Sequence, residues 1–456
     1  MPLSLPVRRR AGALCALLLA TGVAPAEAAT LIVTNTEDAC SPWILNGRCL
    51  RSAIEYANLF EDADRIFFDI PGNPDHYKRI LLQSALAIAN PLEIDGYTQP
   101  GAAPNTSTTG MDAQVRVILD ATAVPRGQPA IEVGATADIR GLSIIDAEGP
   151  GIYLRPWAAE SRVRGNFIGT EPSGFAASNE GGILADCEFC VFGGFDPADR
   201  NLVSANVGYG IRSTGIRNVI IGNLIGTDRS GAPTLGNGIG VEVDTGPTRI
   251  GDFGVPVPNV IAGNACGGVS VSGANTVDVA VGSLVFANDA AGAGCRSITL
   301  EGTDHVNDIG DADGGPNGAL NHPEILAVRE SGGDLVVEGR INSAPSTEYR
   351  VELFANVSET ACTAPDARGE GELALASFVV TTPADSGIAM FTWRAALAGV
   401  GIRSVAATAS VGVPEVAAFS TSGFSPCTFV AENDGLFSDG FETPPASAFG
   451  ARPARD

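Results

Sequence analysis

The sequence predicts an all-β chain: a parallel β-helix, then an antiparallel β-sandwich. Three observations predict it. Residues 165–170 read Gly-Asn-Phe-Ile-Gly-Thr and residues 222–227 read Gly-Asn-Leu-Ile-Gly-Thr, a repeat offset by 57 residues. A polar residue followed by two apolar ones recurs at Ser143, Asn166, Asn201, Asn223, Asn259 and Ser283, in steps of 23, 35, 22, 36 and 24. Beyond residue 324 the pattern changes to alternating strands bounded by turn residues.

The short step is the period. The long steps add 13 residues, which are loops of the form Gly-Thr-(Glu/Asp)-x-Ser-Gly entering at Gly169-Thr170 and Gly226-Thr227. Two other apolar runs keep the same phase. One comprises Gly151-Ile-Tyr-Leu, Gly182-Ile-Leu, Gly210-Ile, Gly240-Val-Glu-Val and Gly268-Val-Ser-Val. The other comprises Arg162-Val, Val191-Phe, Val219-Ile-Ile, Arg249-Ile and Val277-Asp-Val. Each coil therefore holds three short strands. A strand this short cannot bury its apolar side alone, but stacked at ~4.8 Å on the next coil it pairs its backbone and closes a core. The asparagines suit the corners, because Asn tolerates the left-handed conformation and its amide can bond to the amide above it. Abundant Gly and the lack of 3.6-residue periodicity exclude a helical solenoid.

Composition narrows the partners. The 456 residues carry 28 basic and 52 acidic side chains, a net charge of −24, which disfavours nucleic acid and anionic lipid. Residues 1–29 read as a secretory signal: Arg8 to Arg10, an apolar run from Ala11 to Val23, then Ala26-Glu27-Ala28-Ala29. No other stretch reaches the ~20 apolar residues that span a bilayer. Export implies disulfides among the eight cysteines beyond the signal. Proximity suggests Cys40–Cys49, Cys187–Cys190, Cys266–Cys295 and Cys362–Cys427. A zinc site is the rival at Cys187 and Cys190, though it needs a second ligand pair and the histidines are only His76, His305 and His322.

In chain order, residues 30–65 supply a first strand and a short helix. Leu50, Ala53, Ile54 and Ala57 share one helical face, which predicts a cap over the unpaired edge of the first coil. Residues 66–306 are the β-helix, with room for about nine coils up to residue 300. Residues 307–323 are an Asp/Gly-rich linker. Asp308, Asp311, Asp313 and Asn317 offer hard oxygen ligands on a loop that glycines let curl, which suits Ca²⁺ without being an EF-hand; a plain polar linker is the rival reading. Residues 324–427 hold six or seven alternating strands, an antiparallel sandwich that Cys362 and Cys427 could staple. Residues 428–456 are a tail carrying Asn433-Asp-Gly-Leu-Phe-Ser-Asp-Gly-Phe-Glu442, which resembles a C-terminal motif of secreted proteins in some Gram-negative bacteria. Disorder is expected from residue 443 onward.

Three segments together carry a wider resemblance: Cys49-Leu-Arg-Ser-Ala-Ile54 with Ala57-Asn58, Ile94-Asp-Gly-Tyr-Thr-Gln-Pro-Gly-Ala102, and the Gly-Asn-x-Ile-Gly-Thr repeats. Residues 30–427 resemble a family of secreted bacterial β-helix proteins named for a Cys-Ser-Leu-Arg-Glu-Ala box. This chain lacks the Ser after Cys49 and has Ser52 where Glu is usual. The resemblance implies a right-handed coil and a secreted or outer-surface location. It implies no particular activity.

Chemistry follows by analogy, since β-helices host polysaccharide lyases and hydrolases. Glu171 and Asp228 share one repeat position; Asp186 and Asp244 share another. Each pair should lie two coils apart, ~9.6 Å, at the outer limit of the ~6.5–9.5 Å used by inverting glycosidases. The plainer reading is that Glu171 and Asp228 bond their own turns. Arg164 is the kind of Arg a lyase uses, or else a solvated side chain. The expected function is binding of an extracellular ligand, a glycan, without catalysis. The alternative is a carbohydrate-active enzyme, and the discriminator is whether outward carboxylates and an Arg converge on adjacent coils. The two insertions should emerge as ridges along one edge and flank a groove on a neighbouring face.

Overall fold

A computed structural model describes residues 28–431 except 41–48, 253–256, 274, 303–305, 359–361, 363–368, 398–399 and 414–417. The signal up to residue 27, His305, Val416, the Asn433–Glu442 motif and the residues after it lie outside the described residues.

Three parallel sheets dominate. Sheet 1 stacks Thr30–Val33, Asp64–Phe68, Leu92–Asp95, Ala137–Arg140, Arg162–Arg164, Val191–Gly193, Asn218–Ile221, Thr248–Gly251 and Val279–Gly282. Sheet 2 stacks Lys78–Leu81, Val117–Asp120, Leu142–Ile145, Phe167–Ile168, Leu202–Val203, Leu224–Ile225, Val260–Ala262 and Leu284–Phe286. Sheet 3 stacks Leu86–Ile88, Ile131–Val133, Pro150–Leu154, Gly181–Ala185, Tyr209–Ser213, Ile239–Val243, Val269–Val271 and Ile298–Leu300. The chain visits the three in turn, so each strand pairs with the strand one coil away. Among the described residues eight three-strand coils follow the first strand, one fewer than expected. The shortfall lies between Leu92–Asp95 and Ala137–Arg140, where residues 96–116 leave the coil altogether. The last coil also departs from the expected phase: Arg249 pairs with Ala280, so Val277 precedes the strand and is exposed.

Register aligns one inward residue per strand. In sheet 1, Ile66, Ile94, Ile139, Val163, Phe192, Ile220, Ile250 and Val281 face each other in succession, all buried. The Gly-Asn-x-Ile-Gly-Thr repeat encodes a corner, a strand and a second corner. Gly165 and Gly222 take positive φ, as do Gly169 and Gly226. A side chain on Gly169 or Gly226 would also run into the carbonyl oxygen of Ser204 or Ala262 on the next coil. Ile168 and Ile225 point into the core. Phe167 and Leu224 point outward, yet are fully buried.

Asparagine amides stack at both corners. Asn166, Asn201, Asn223 and Asn259 form one ladder: Nδ2 of each donates to Oδ1 of the next at 3.4, 2.9 and 3.2 Å, and Asn259 Nδ2 donates to Ser283 Oγ at 3.1 Å. A second ladder joins Asn179, Asn206, Asn237, Asn264 and Asn288 at 3.1, 2.9, 3.0 and 2.7 Å. Both ladders are buried, so each satisfied amide also fixes the stacking register.

Hydrogen bonds reach some of the edge groups at each end of the stack. Helix Leu50–Ala57 buries Leu50, Ala53, Ile54 and Ala57 against the core. It lies beside the outermost strand of sheet 3. Asn58 Nδ2 donates to Ala87 O and Asn58 Oδ1 accepts from Ala89 N, both at 2.8 Å. Arg51 donates to Ala85 O and Ser84 O and pairs with Asp38. At the far end, Val279 N donates to Asn317 Oδ1, Val281 N to Thr421 Oγ1 and Asp278 N to Ser420 Oγ. Phe354, Ala406 and Phe424 of the C-terminal region join the β-helix core there.

The C-terminal region departs from a two-sheet sandwich. One sheet runs Leu373–Thr381, Glu348–Asn356, Ser404–Val413, Thr428–Ala431, Glu324–Ser331, Asp334–Asn342, Ile388–Ala395 and folds over a single core, with Ala418–Thr421 paired to Ser404–Val413. Thr428–Ala431, expected in the tail, is the strand that joins the two halves. It runs parallel to Glu324–Ser331 and antiparallel to Ser404–Val413. The structure bonds Cys40 to Cys49, Cys187 to Cys190, Cys266 to Cys295 and Cys362 to Cys427. Among the described residues no helix is long and apolar enough to cross a membrane.

Candidate functional site

Each sheet has a different outer face. Sheet 2 presents an apolar strip of Phe167, Leu202 and Leu224, with Val260 partly buried beside it. Residues 96–116 lie over it as a strap, seating Met111, Ala113 and Val115 on the strip. Arg229, on the second insertion, clamps the strap by donating to Met111 O and Ala113 O at 3.0 Å, and reaches Pro172 O on the first insertion at 2.8 Å. Arg200, fully buried, donates to Thr108 O, Gly110 O and Gly222 O. So the insertions do not flank an open groove on this side. Nor is the second insertion a free surface loop, because it secures the cover of the strip. Arg229→Ala orphans two strap carbonyls and is expected to cost about 1–3 kcal/mol, with faster proteolysis within residues 100–115; limited proteolysis and a melting curve check both.

Sheet 1's outer face is a set of closed ion pairs. Arg164 bonds Asp138 at 2.8 Å and Asp199 at 2.8 Å, and the Asp138 hydrogen bond, more than the Asp199 one, raises its guanidinium pKa. Arg140 bonds Asp95 at 2.5 Å and Arg65 bonds Glu93 at 3.1 Å. Arg164 therefore sits apart from the other candidate residues. Glu171 and Asp228 sit at the corner between sheets 2 and 3. Glu171 pairs with Arg79 at 2.5 Å. Asp228 accepts from Ser230 N, Ser230 Oγ, Ala232 N and Thr234 Oγ1. Burial works against the Asp228 carboxylate, but these bonds hold its pKa below the usual value. Asp228 is a loop-fixing residue, as the plainer reading expected.

Among the described residues no strap is seated on sheet 3's outer face, and the remaining candidates Asp186 and Asp244 lie there two coils apart. Strand register places Glu132, Tyr153, Leu184, Arg212, Glu242 and Ser270 in one outward row across successive coils. Two residues further along lie Asp186, Thr214 and Asp244, also on successive coils. Tyr153 OH donates to Asp186 at 2.5 Å, and Thr214 Oγ1 donates to the other oxygen of Asp186. Arg212 bonds Asp244 at 2.7 Å and Glu242 at 3.4 Å, while Ser272 Oγ donates to Asp244 at 2.6 Å. Arg155 pairs with Glu132 at 2.6 Å and lies 4.8 Å above the Tyr153 ring. The Tyr209 ring packs against Gly181, where any side chain would collide with it. Burial raises the Tyr209 phenol to about 12. Burial also raises the Glu242 carboxyl, opposed by Arg212 and reinforced by Asp244.

Aromatic side chains border this face. Trp157 is 77 % exposed at the corner from sheet 3 to sheet 1, and Phe189 is exposed at the same corner one coil on, with Arg217 over its ring at 5.3 Å. Phe175 stands out from the first insertion on the opposite border. Sequence reasoning found Asp186 and Asp244 but missed Tyr153, Arg212 and Glu242. The signal was present: these are the middle residues of the runs after Gly151, Gly210 and Gly240, where alternation puts a side chain outward.

At the junction, Asp308, Asp311 and Asp313 bring carboxylate oxygens within 4.8 Å of one another. Asn317 is engaged elsewhere. Its amide bonds Val279 N, Val279 O and Thr421 O and so ties the last coil to the C-terminal sheet. Asp308 accepts from Ala312 N, and Asp311 from Asn321 N and Ser343 Oγ. Burial and the Asp308 charge raise the Asp311 carboxyl against those bonds. A Ca²⁺ held by the three carboxylates raises the melting temperature over that in chelator, and the triple Asn variant removes the rise; superposed melting curves identify a junction loop only.

No model of a known protein family matches this chain, and comparison with curated proteins finds no match.

Proposed function

We propose that this chain is a secreted β-helix protein of the Cys-Ser-Leu-Arg-Glu-Ala-box kind, right-handed, with its helix capping the first coil. Its third sheet binds a linear glycan without transforming it. The observation that carries this reading is the outward row of Tyr153, Arg212 and Glu242 beside Asp186 and Asp244, bordered by Trp157 and Phe189. Flat aromatic faces suit the apolar faces of sugars, and oriented carboxylates and guanidinium groups suit hydroxyl pairs. Successive coils repeat these contacts along one direction, as a polymer requires. The binding reading stands ahead of catalysis because the polar groups of Asp186, Arg212 and Asp244 are tied to neighbouring side chains.

One observation favours the second reading, a polysaccharide lyase or glycoside hydrolase. Glu242 carries a raised carboxyl beside Asp244 and Arg212, the convergence that such chemistry uses. A panel of acidic and neutral polysaccharides separates the two when both binding and new reducing or unsaturated ends are read. Binding with no new ends is the expected outcome. New ends assign an enzyme, and no binding across the panel rejects both.

A further inference from the structure

One cleft lies away from sheet 3, where the C-terminal sheet meets the last coils. Its volume is about 530 Å³, within the range of small-molecule sites. Pro258 and Leu284 of the β-helix form one wall; Phe354, Leu373 and Leu375 form the other. Two carboxylates enter this apolar space, Asp252 from the β-helix side and Glu352 from strand Glu348–Asn356. Asp252 is paired with Arg249. Glu352 is only 6 % exposed, and its Oε2 is buried with no hydrogen-bond partner. Directly opposite it in register stands Thr408, whose Oγ1 is also buried and unpartnered.

A buried carboxyl oxygen with no donor costs stability that a core residue of the same size would not. Alternation explains why it faces the cleft: Val351 and Leu353 point into the C-terminal core, and Glu352 and Phe354 point the other way. An unpartnered carboxylate oxygen on an apolar cleft defines a polar terminus with an apolar approach. A carboxylate oxygen only accepts, so the ligand group must supply the donors. The second carboxylate on the facing wall and the chain's net charge of −24 select a positive one. We infer that this cleft binds a small organic cation, an ammonium or amidinium on an apolar body, with Glu352 as its counter-ion.

The charges facing Glu352 fix the pH behaviour. Burial pushes its carboxyl up to about 8, with Arg350 on its own strand opposing and Asp252 across the cleft reinforcing. The empty site is therefore mostly neutral at pH 7, and a cation that binds the carboxylate releases a proton. Affinity then climbs by close to ~10-fold per pH unit below the raised value and levels off above it.

Hexylammonium and its uncharged counterpart hexan-1-ol are the probes, titrated into the full chain by calorimetry from pH 6 to 9. Hexylammonium is expected to saturate one site, to release a proton at pH 7, and to bind at least about 10-fold tighter than the alcohol. Glu352→Gln copies the neutral carboxyl, so it keeps the fold while losing about 10-fold or more in affinity together with the pH dependence. Leu373→Lys, on a half-exposed wall position, supplies its own cation and should abolish binding. Melting curves confirm that both variants fold. Absence of saturable hexylammonium binding, equal affinity for the alcohol, or unaltered binding by Glu352→Gln would each overturn the inference.

Discussion

Ile54→Asp is expected to produce the largest loss of stability of any single change in the N-terminal region. Ile54 is 2 % exposed and packs in the same cluster as Val33, Ile66 and Leu86 of the first strands. An aspartate there buries an unpaired carboxylate, a cost on the order of several kcal/mol before relaxation. It also lifts the helix that carries Arg51 and is capped by Asn58, which together satisfy Ala85, Ala87 and Ala89 in and beside the outermost strand of sheet 3. The freed edge is open to strand addition, so aggregation should accompany the fall in melting temperature. Glu55→Lys, on the exposed side of the same helix, is the control and should melt like the parent. Equal melting and solubility for Ile54→Asp would show that the helix does not seal the first coil.

Asn223→Ala should rank second. Asn223 Oδ1 accepts from Asn201 Nδ2 at 2.9 Å, and its Nδ2 donates to Phe192 O at 2.9 Å and to Asn259 Oδ1 at 3.2 Å. Alanine removes these bonds and the one from Asn201 N in the middle of the ladder, while Asn201 Nδ2 keeps Val163 O and Asn259 Oδ1 keeps the Asn223 backbone N–H. At about 1–3 kcal/mol for each buried group left unsatisfied, the expected loss is roughly 3–5 kcal/mol. Asn288→Ala, which removes only the last rung of the other ladder, should cost less. Denaturant unfolding of both variants orders them; the reverse order would mean that the amides fill space without fixing the stack.

The coil architecture was legible because it depends on one short pattern. A glycine at positive φ, a corner Asn, an outward residue, an inward Ile and a second glycine recur often enough to be counted. The strap was not legible. Residues 96–116 break the period once, and nothing local in them points to Phe167 or Arg229, both distant in sequence. Asn317 was misread for a related reason. Its neighbours are aspartates, so composition grouped it with them, whereas its amide is spent on Val279 and Thr421. The strand Thr428–Ala431 was assigned to the tail because a four-residue run beside Cys427 carries too little alternation to be seen. Of the candidate site, the paired aspartates were visible as repeats. Arg212 and Tyr153 could be placed outward only through the alternation of their runs, since their residue types do not repeat from coil to coil.

The claim that sheet 3 is the binding face has a direct test. On any glycan that the panel identifies, the affinities of Tyr153→Ala/Arg212→Ala and of Arg65→Ala are measured by calorimetry beside the parent. Arg65 is an exposed residue of sheet 1 and serves as the opposite face. The double variant is predicted to lose at least about 10-fold in affinity while Arg65→Ala matches the parent. Undiminished binding by the double variant, or a loss confined to Arg65→Ala, would contradict the assignment.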